Sequence, residues 1–480
     1  MPERRDIRRL FVANRGEIAV RVVRAAKKLG IASVVGVSSA DRDTLAAKLA
    51  DRAICIGPPP SRLSYLDIPV VIAAARGTGC DAVHPGYGFL SERADFAEAC
   101  AKHDLVFVGP RPEAIRAAGD KLEARRIAER LGVPLAAGSN EIESAAQAKS
   151  AAAKVGLPIL LKAAAGGGGR GMRVVRRLAD LAAQFEQASA EAREAFGDGR
   201  LFLERFVGDA RHVELQVLGD RHGTLVHLFE RDCSLQRRHQ KITEEAPAPG
   251  LSGETRQALL DAATAFASAI GYDNAGTVEF LFDAAADRFY FLEMNSRIQV
   301  EHPVTEEITG VDLVAEQIRI AAGERISFTQ RSLRTSGHAI ECRVNVEDPD
   351  RNFMPSPGRI TRWSVPRADD IRIDSHAFAG YLVPPFYDSL LAKVIVRGGD
   401  RSAAIQRMEH VLALFDADGV KTNVPFHRFV LAHPDFRQGA VSTRWIESKG
   451  YAAFREEKGL EPVEDRSHRS RSTFQRTEVA

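Results

Sequence analysis

Glu279 and Glu293 have the most informative spacing in the chain. The runs Gly276 to Phe282 and Phe289 to Met294 alternate like the two strands of a hairpin. Pairing Phe282 with Tyr290 sets Glu279 opposite Glu293. Like charges facing each other destabilise a sheet, and a hard cation between them reverses that sign. Asn295, two residues past Glu293, falls on the same face and adds an amide oxygen. With phosphate oxygens completing the shell, this set suits Mg2+, with Mn2+ as the close substitute. A solvated acidic strand face is the alternative, weakened by the flanking Phe280, Phe282, Phe291 and Leu292.

The polar run Asn295 to Thr305 begins where that strand ends. Arg297, Gln299 and Glu301 alternate, so an extended backbone sends all three to one side. That side carries an anion binder, an amide and a base, the set a small oxyanion needs if it must also lose a proton. A loop approaching a helix is the other reading, with Thr305 as N-cap and Glu306 and Glu307 in the first turn.

Five glycines fall between Gly166 and Gly171, behind Lys162 at the end of a short strand. Each glycine costs about 0.5–1 kcal/mol against alanine in a regular element, a heavy burden for a plain turn. Bare N–H groups closing on phosphate, with Lys162 adding charge, account for them. A flexible surface loop is the alternative, and the Walker pattern is absent because no G-K-[ST] follows. Glu230 to Lys241 is dense in polar groups, with four bases between Arg237 and Lys241. It lacks the interleaved aromatics of a nucleic-acid surface and fits an anion pocket better. Cys233, His212 and His239 taken singly, and Arg343 behind its strand, say little.

These residues need a frame. Residues 7–120 alternate strand and helix patterns. A strand at Ile7 to Ala13 and a turn at Asn14 to Gly16 lead into a helix carrying Ile18, Val22, Ala25, Ala26 and Leu29. The βαβ rhythm predicts a mostly parallel sheet, and the dinucleotide G-x-G-x-x-G is missing after the first strand. Helices are expected over 120–131, 143–155 and 177–195. Strands are expected at 159–162, 172–175, 213–218, 224–229, 276–282, 289–294, 339–344 and 391–396. Residues 452–480, rich in Arg, Glu and Ser, are expected to be disordered.

Composition narrows the classes. The chain has 480 residues, with 66 basic and 64 acidic side chains giving +2, so no global basic field marks a nucleic-acid binder. Five scattered cysteines without a C-x-x-C pair argue against a disulfide framework or structural zinc and point to the cytoplasm. No apolar run approaches the roughly 18 residues of a membrane span, and no signal peptide is expected.

Together the segments resemble the biotin carboxylases, the ATP-grasp subunits of biotin-dependent carboxylases. The resemblance covers residues 7–450. It rests on Ala13 to Ala19, His84 to Glu92, the glycine loop, Glu230 to Lys241, Glu293 to Thr305 and Phe386 to Ser389. A generic ATP-grasp carboxylate–amine ligase would share the loop and the metal carboxylates but not Arg297 to Pro303. The implied fold is α/β: an N-terminal βαβ (Rossmann-like) domain over 1–120, a mobile glycine-rich ATP-grasp lid over 121–206, and a core with an α+β C-terminal domain over 207–450, ahead of a tail at 451–480.

The resemblance implies ATP contacts from Lys121, Lys162, Gly168, Gly169, Glu204, Val207, His212, Gln236 and His239. It implies Mg2+ on Glu279 and Glu293 with Asn295 nearby, and bicarbonate against Lys241, Arg297, Gln299 and Val300. Glu301 resembles the base that deprotonates bicarbonate, and Arg343 the cation that stabilises the enolate of the biotin ureido group. Ala165 replaces a usual glycine, Arg205 a usual lysine and Ser296 a usual threonine. None of Met1, Met172, Met294, Met354 and Met408 adjoins a lysine, so biotin is expected on a separate carboxyl carrier protein, with carboxyltransferase subunits as further partners. The chain is also read as leaving no room for a carrier or carboxyltransferase domain of its own. A homodimer is implied, with Arg24 at the interface. Acetyl-CoA carboxylase is the expected parent, and pyruvate, other acyl-CoA or urea carboxylases are alternatives. A non-catalytic ATP-binding assembly subunit and an amide-forming ligase are the readings of another class.

Overall fold

The computed structural model describes residues 4–164 and 172–461. The N-terminal apolar runs form a five-stranded parallel sheet in the order Arg52–Cys55, Ala32–Val37, Arg9–Val12, Ala82–His84, Val106–Phe107. The three middle strands are buried almost throughout, which is why their sequences read as continuous rather than alternating apolar runs. Gly16 turns the chain from Arg9–Val12 into helix Gly16–Lys28 at φ 70°, a conformation that favours glycine.

A second, three-stranded sheet runs in the order Arg173–Val175, Ile159–Ala163, Leu201–Arg205. Helices Ala145–Val155 and Leu181–Phe196 close it over a core of its own, including Ala148, Ala152, Leu161, Leu181, Phe185 and Leu203. The glycine loop, with Ala165, Gly168 and Gly169, lies outside the described residues. Helix Lys121–Arg130 bridges this unit and the central sheet, with Leu122 against Ala164 and Phe202 of the smaller sheet. Its apolar stripe, Ala124, Ile127 and Ala128, packs into a different core with Val213, Leu215, Phe280 and Phe291. The unit expected to start at 121 has its packed core only from Ile142 onward.

The central element is an eight-stranded antiparallel sheet. Its order is Arg288–Asn295, Asn274–Asp283, Arg211–Gly219, Leu225–Arg237, Gln240–Ala246, His338–Asn345, Leu390–Gly398, Ile371–Ser375. Helix Gly253–Ala269 covers one end and helix Arg401–Leu414 the other. The stretch expected as a strand at 224–229 followed by a polar run is one 13-residue strand, Leu225–Arg237. It turns at Arg238 and His239, both at positive φ, into Gln240–Ala246.

The carboxylate hairpin departs from the expected register by one residue beyond its site end. Glu279 does face Glu293, but a bulge follows, so Phe280 faces Phe291 and Phe282 faces Phe289 rather than Tyr290. An unbroken register would have turned Phe289 and Phe291 outward. The bulge buries both, Phe291 at 4.6 Å from the Phe266 ring centroid and Phe289 at 5.4 Å from Phe280, while Glu293 stays opposite Glu279.

Two features join distant parts of the chain. Lys393, fully buried in the central sheet, reaches Glu17 on the first helix at 3.1 Å and donates to the Val300 carbonyl at 2.8 Å. Glu17 also accepts from the Tyr87 hydroxyl at 2.5 Å. At the other end, Tyr451–Glu457 is a helix, which corrects the expectation of disorder from 451. Phe454 is buried against Phe426 and Phe429, with ring centroids 5.3 and 5.6 Å away. Tyr451, whose hydroxyl donates to the Pro349 carbonyl at 2.9 Å, docks the same helix beside Phe454; residues 462–480 lie outside the described residues. We expect Phe454→Ala to destabilise the C-terminal part by about 3–5 kcal/mol. Urea unfolding followed by tryptophan fluorescence would report it, because Trp445 shares that core; an unmoved midpoint would show that the helix is not anchored there.

Candidate active site

The site is laid out along the central sheet, with one functional group or pair on almost every strand. Its centre is Lys241, on Gln240–Ala246. The Lys241 ammonium meets Glu214 at 2.5 Å, Glu301 at 2.6 Å and Glu279 at 3.0 Å. Three buried carboxylates cannot stay ionised around one lysine unaided. Arg231, with no exposed surface, supports Glu214 at 2.7 Å, and Arg343 supports Glu301 at 2.9 Å. His212 lies 3.3 Å from Glu214 and 3.4 Å from Glu279. Burial alone would lower its pKa, but Glu279 and Glu214 raise it to about 9, so it adds a further positive charge at neutral pH.

Glu301 is the candidate base. It is fully buried between Lys241 on one oxygen and Arg343 on the other. Burial pushes its pKa up, but Lys241 and Arg343 outweigh that and hold it below the usual carboxylate range. It is therefore ionised at neutral pH, as a base must be. Arg297, Gln299 and Glu301 do converge, but not by strand alternation. The backbone bends after Gln299, and Glu301 takes the N-cap position of helix His302–Thr309 without a side-chain capping bond, with Pro303 in the first turn and Thr305 inside the helix. The expected cap at Thr305 is thus four residues too late. Gln299 joins the cluster through its amide, which donates to Glu279 at 2.9 Å. Arg297 is steered by Asn295 at 2.9 Å, Glu92 at 3.0 Å and Gln299 at 3.3 Å. The Val300 carbonyl is taken by Lys393 at 2.8 Å.

The metal candidates lie at the sheet edge. Glu279 and Glu293 face each other, and Asn295 follows on the same strand. Each acid has a lysine counterion: Lys241 for Glu279 at 3.0 Å and Lys121 for Glu293 at 3.1 Å. Burial acts against ionisation of Glu279, yet Lys241 and His212 hold its pKa well down. Two carboxylates and an amide oxygen on adjacent strands form a hard-oxygen donor set that fits Mg2+. His212, Glu214 and Glu279 also bring ligand atoms within 4.8 Å of one another. That mixed set is already neutralised by Lys241 and Arg231.

Of the other expected contacts, Lys121 opens helix Lys121–Arg130 behind an Asp120 cap. Lys162 is buried on the smaller sheet in a salt bridge to Glu204, which Arg125 also grips. Val207 follows Glu204 on the segment leading to the central sheet and is half-buried. Gln236 is buried opposite Lys241 and donates to the Cys233 carbonyl at 3.0 Å. His239 is exposed at the hairpin tip, and Arg24 is exposed on the first helix. Cys233 is a buried free thiol.

Sequence reasoning missed Glu214, Arg231 and Glu244. Glu214 was within reach, because it lies two residues after His212 on a strand and so shares its face. Arg231 and Glu244 carried no local signal, since burial of a charge depends on partners from other strands. Arg343 donates from Nε to Glu244 at 2.5 Å.

Comparison with known proteins fits this arrangement. Residues 6–115 match the biotin carboxylase N-terminal domain, 120–329 the ATP binding domain of the carbamoyl-phosphate synthase L chain, and 341–448 the biotin carboxylase C-terminal domain. The chain is 50% identical over 440 residues to the biotin carboxylase of Nostoc, covering 92% of this chain and 98% of that one. Among solved structures, the biotin carboxylase–β,γ-ATP complex of Campylobacter jejuni superposes with a TM-score of 0.90 at 45% identity, over 92% of this chain and 99% of that one. The biotin carboxylase domain dimer of Hydrogenobacter thermophilus 2-oxoglutarate carboxylase, in complex with MgADP, ADP and bicarbonate, gives 0.89 at 44%, over 93% and 98%. These matches bear out the α/β ATP-grasp fold expected from the motifs. The chain belongs to the biotin carboxylase family and is an ATP-dependent ligase.

Proposed function

We propose that this chain carboxylates biotin on a separate carrier protein, using ATP and bicarbonate, as the first half-reaction of an acetyl-CoA carboxylase. The supporting observation is Glu301, an ionised base set between Lys241 and Arg343. A base between two cations suits a substrate that is an anion and must surrender a proton. Lys241, Arg297, Gln299 and Val300 form the bicarbonate pocket in this reading. Lys121, Lys162, Glu204, Val207, His212, Gln236 and His239 line the ATP side, with Gly168 and Gly169 of the loop. Glu279 and Glu293, with Asn295, would hold Mg2+, which when bound offsets the charge of the phosphates.

The chemistry then follows from positioning and charge. A bicarbonate oxygen attacks the γ-phosphorus, the bond to ADP breaks, and Glu301 takes the bicarbonate proton. The resulting carboxyphosphate divides into CO2 and phosphate. The biotin N1 proton passes to that phosphate as nitrogen bonds to CO2, and Arg343 steadies the negative charge on the ureido oxygen.

Carrier, carboxyltransferase and a second copy of this chain are the proposed partners. The five free thiols suit a reducing cytoplasm, and among the described residues no helix is long and apolar enough to cross a membrane. The acceptor is read by another subunit. Transcarboxylation with the biotinylated protein that co-purifies would identify it: acetyl-CoA is the expected acceptor, and a preference for pyruvate or another acid would reassign the parent complex.

ADP release with bicarbonate, with and without free biotin, tests the reaction itself. Stimulation by biotin is expected; stimulation only by an amine would indicate an amide-forming ligase, and no release would indicate an assembly subunit. Glu301→Gln should abolish bicarbonate-dependent ADP release, and normal release would place the base elsewhere. Arg343→Ala should lower biotin carboxylation by about 10²–10³ while ATP binding, followed by calorimetry, is largely kept. Unchanged turnover with free biotin would remove Arg343 from the mechanism.

A further inference from the structure

Arg343 is fixed at both ends. Its carbonyl accepts from the Asn423 amide at 3.0 Å and from His427 Nε2 at 2.8 Å. The His427 imidazole, lowered to about 4 by burial, is neutral and donates through Nε2, while Nδ1 lies 3.1 Å from the Thr243 hydroxyl. At the far end, Nε donates to Glu244 at 2.5 Å and Nη2 to Glu301 at 2.9 Å. A guanidinium is a rigid planar fork, so two anchors along one edge fix the direction of the remaining N–H groups. Among the described residues no acceptor meets Nη1.

Glu244 is fully buried, and its second oxygen has no partner among the described residues. Directly across the ladder lies Glu341, also fully buried and with neither oxygen paired among the described residues. Two adjacent buried acids around one arginine are a poor arrangement for stability. They are a good one for aiming a cation.

We propose that Glu244 is the positioning residue of the carboxylation step: it grips Arg343 at Nε, so that, with Nη2 on Glu301, the unpaired Nη1 side of the guanidinium is presented to the biotin ureido oxygen. This rests on the role given to Arg343 above. The charged groups facing Glu244 are Lys241 on its own strand, Arg343 and Glu341 on the next, Lys393 one strand further, and Glu301 from the helix packed on the sheet. Burial, aided by Glu301, outweighs Arg343 and Lys241 and raises the Glu244 carboxyl to about 7. Its grip is ionic above that pH and falls to a neutral hydrogen bond below it.

The test uses the full chain with free biotin and compares wild type, Glu244→Gln and Glu244→Asp. Gln keeps the size of the side chain and removes its charge; Asp keeps the charge. In Glu244→Gln, biotin-stimulated turnover should fall about tenfold to a hundredfold. Bicarbonate-dependent ADP release without biotin and the KM for ATP should stay within about twofold. The wild-type biotin-stimulated rate should decline as pH falls through about 7, and that acid limb should vanish in Glu244→Gln and persist in Glu244→Asp, which should recover part of the rate. A Glu244→Gln protein with wild-type rates and pH profile overturns the proposal. So does an equal loss with and without biotin, or a raised KM for ATP, because either marks general damage. Wild type that biotin fails to stimulate would instead sink the parent reading of function.

Discussion

A single ammonium group sets the terms for the whole site. Lys241 is shared among Glu214, Glu279 and Glu301, and all three of these acids are buried. Coulomb interactions grow strong in such an interior, and the cost of taking the ions out of water grows with them. Arg231, Arg343 and His212 supply the network with further positive charge from neighbouring strands. Buried ion networks rarely add net stability. Their value lies in fixed dipoles and charges that need no reorganisation when a reacting anion arrives.

The central sheet makes that network possible. Reading across it, the strands deliver Glu293, then Glu279, then His212 and Glu214, then Arg231 and Gln236, then Lys241 and Glu244, then Arg343. Adjacent strands lie roughly 4.8 Å apart, about the length of one charge-assisted contact plus the atoms that carry it. A hydrogen-bonded ladder is therefore a ruler for placing opposite charges. The metal candidates fall toward one edge and Arg343 toward the opposite half, which gives the reaction a direction across the sheet.

How much of this was legible beforehand depended on whether the signal was local. The facing pair Glu279 and Glu293 could be read from alternation, and it survives the bulge that shifts the rest of its hairpin. The shift itself could not be read, because it is driven by where Phe289 and Phe291 find aromatic partners on other elements. Helix Lys121–Arg130 was recognisable as a helix, but its contacts with two cores were not, since an apolar stripe does not say which core it enters. The turn after Gln299 was hidden for the reason that made alternation attractive: Pro303 is compatible with both an extended run and a helix start. Glu244, followed by Glu245 and a proline-rich stretch, carries no local signal of its own. Only the ladder, which sets it against Glu341 and beside Arg343, reveals its isolation from water.

Lys393 has a consequence for anyone who would recombine this protein with a relative. Its ammonium is the point where the first helix, the loop bearing Val300 and the C-terminal strands meet, through Glu17, a backbone carbonyl and Asp374. A crossover between those segments that replaced Glu17 or Asp374 with a neutral residue would leave an orphaned charge at the seam of the graft. Lys393 and its acidic neighbours therefore have to be exchanged as one unit, and the modular appearance of the chain overstates how freely its pieces can be swapped.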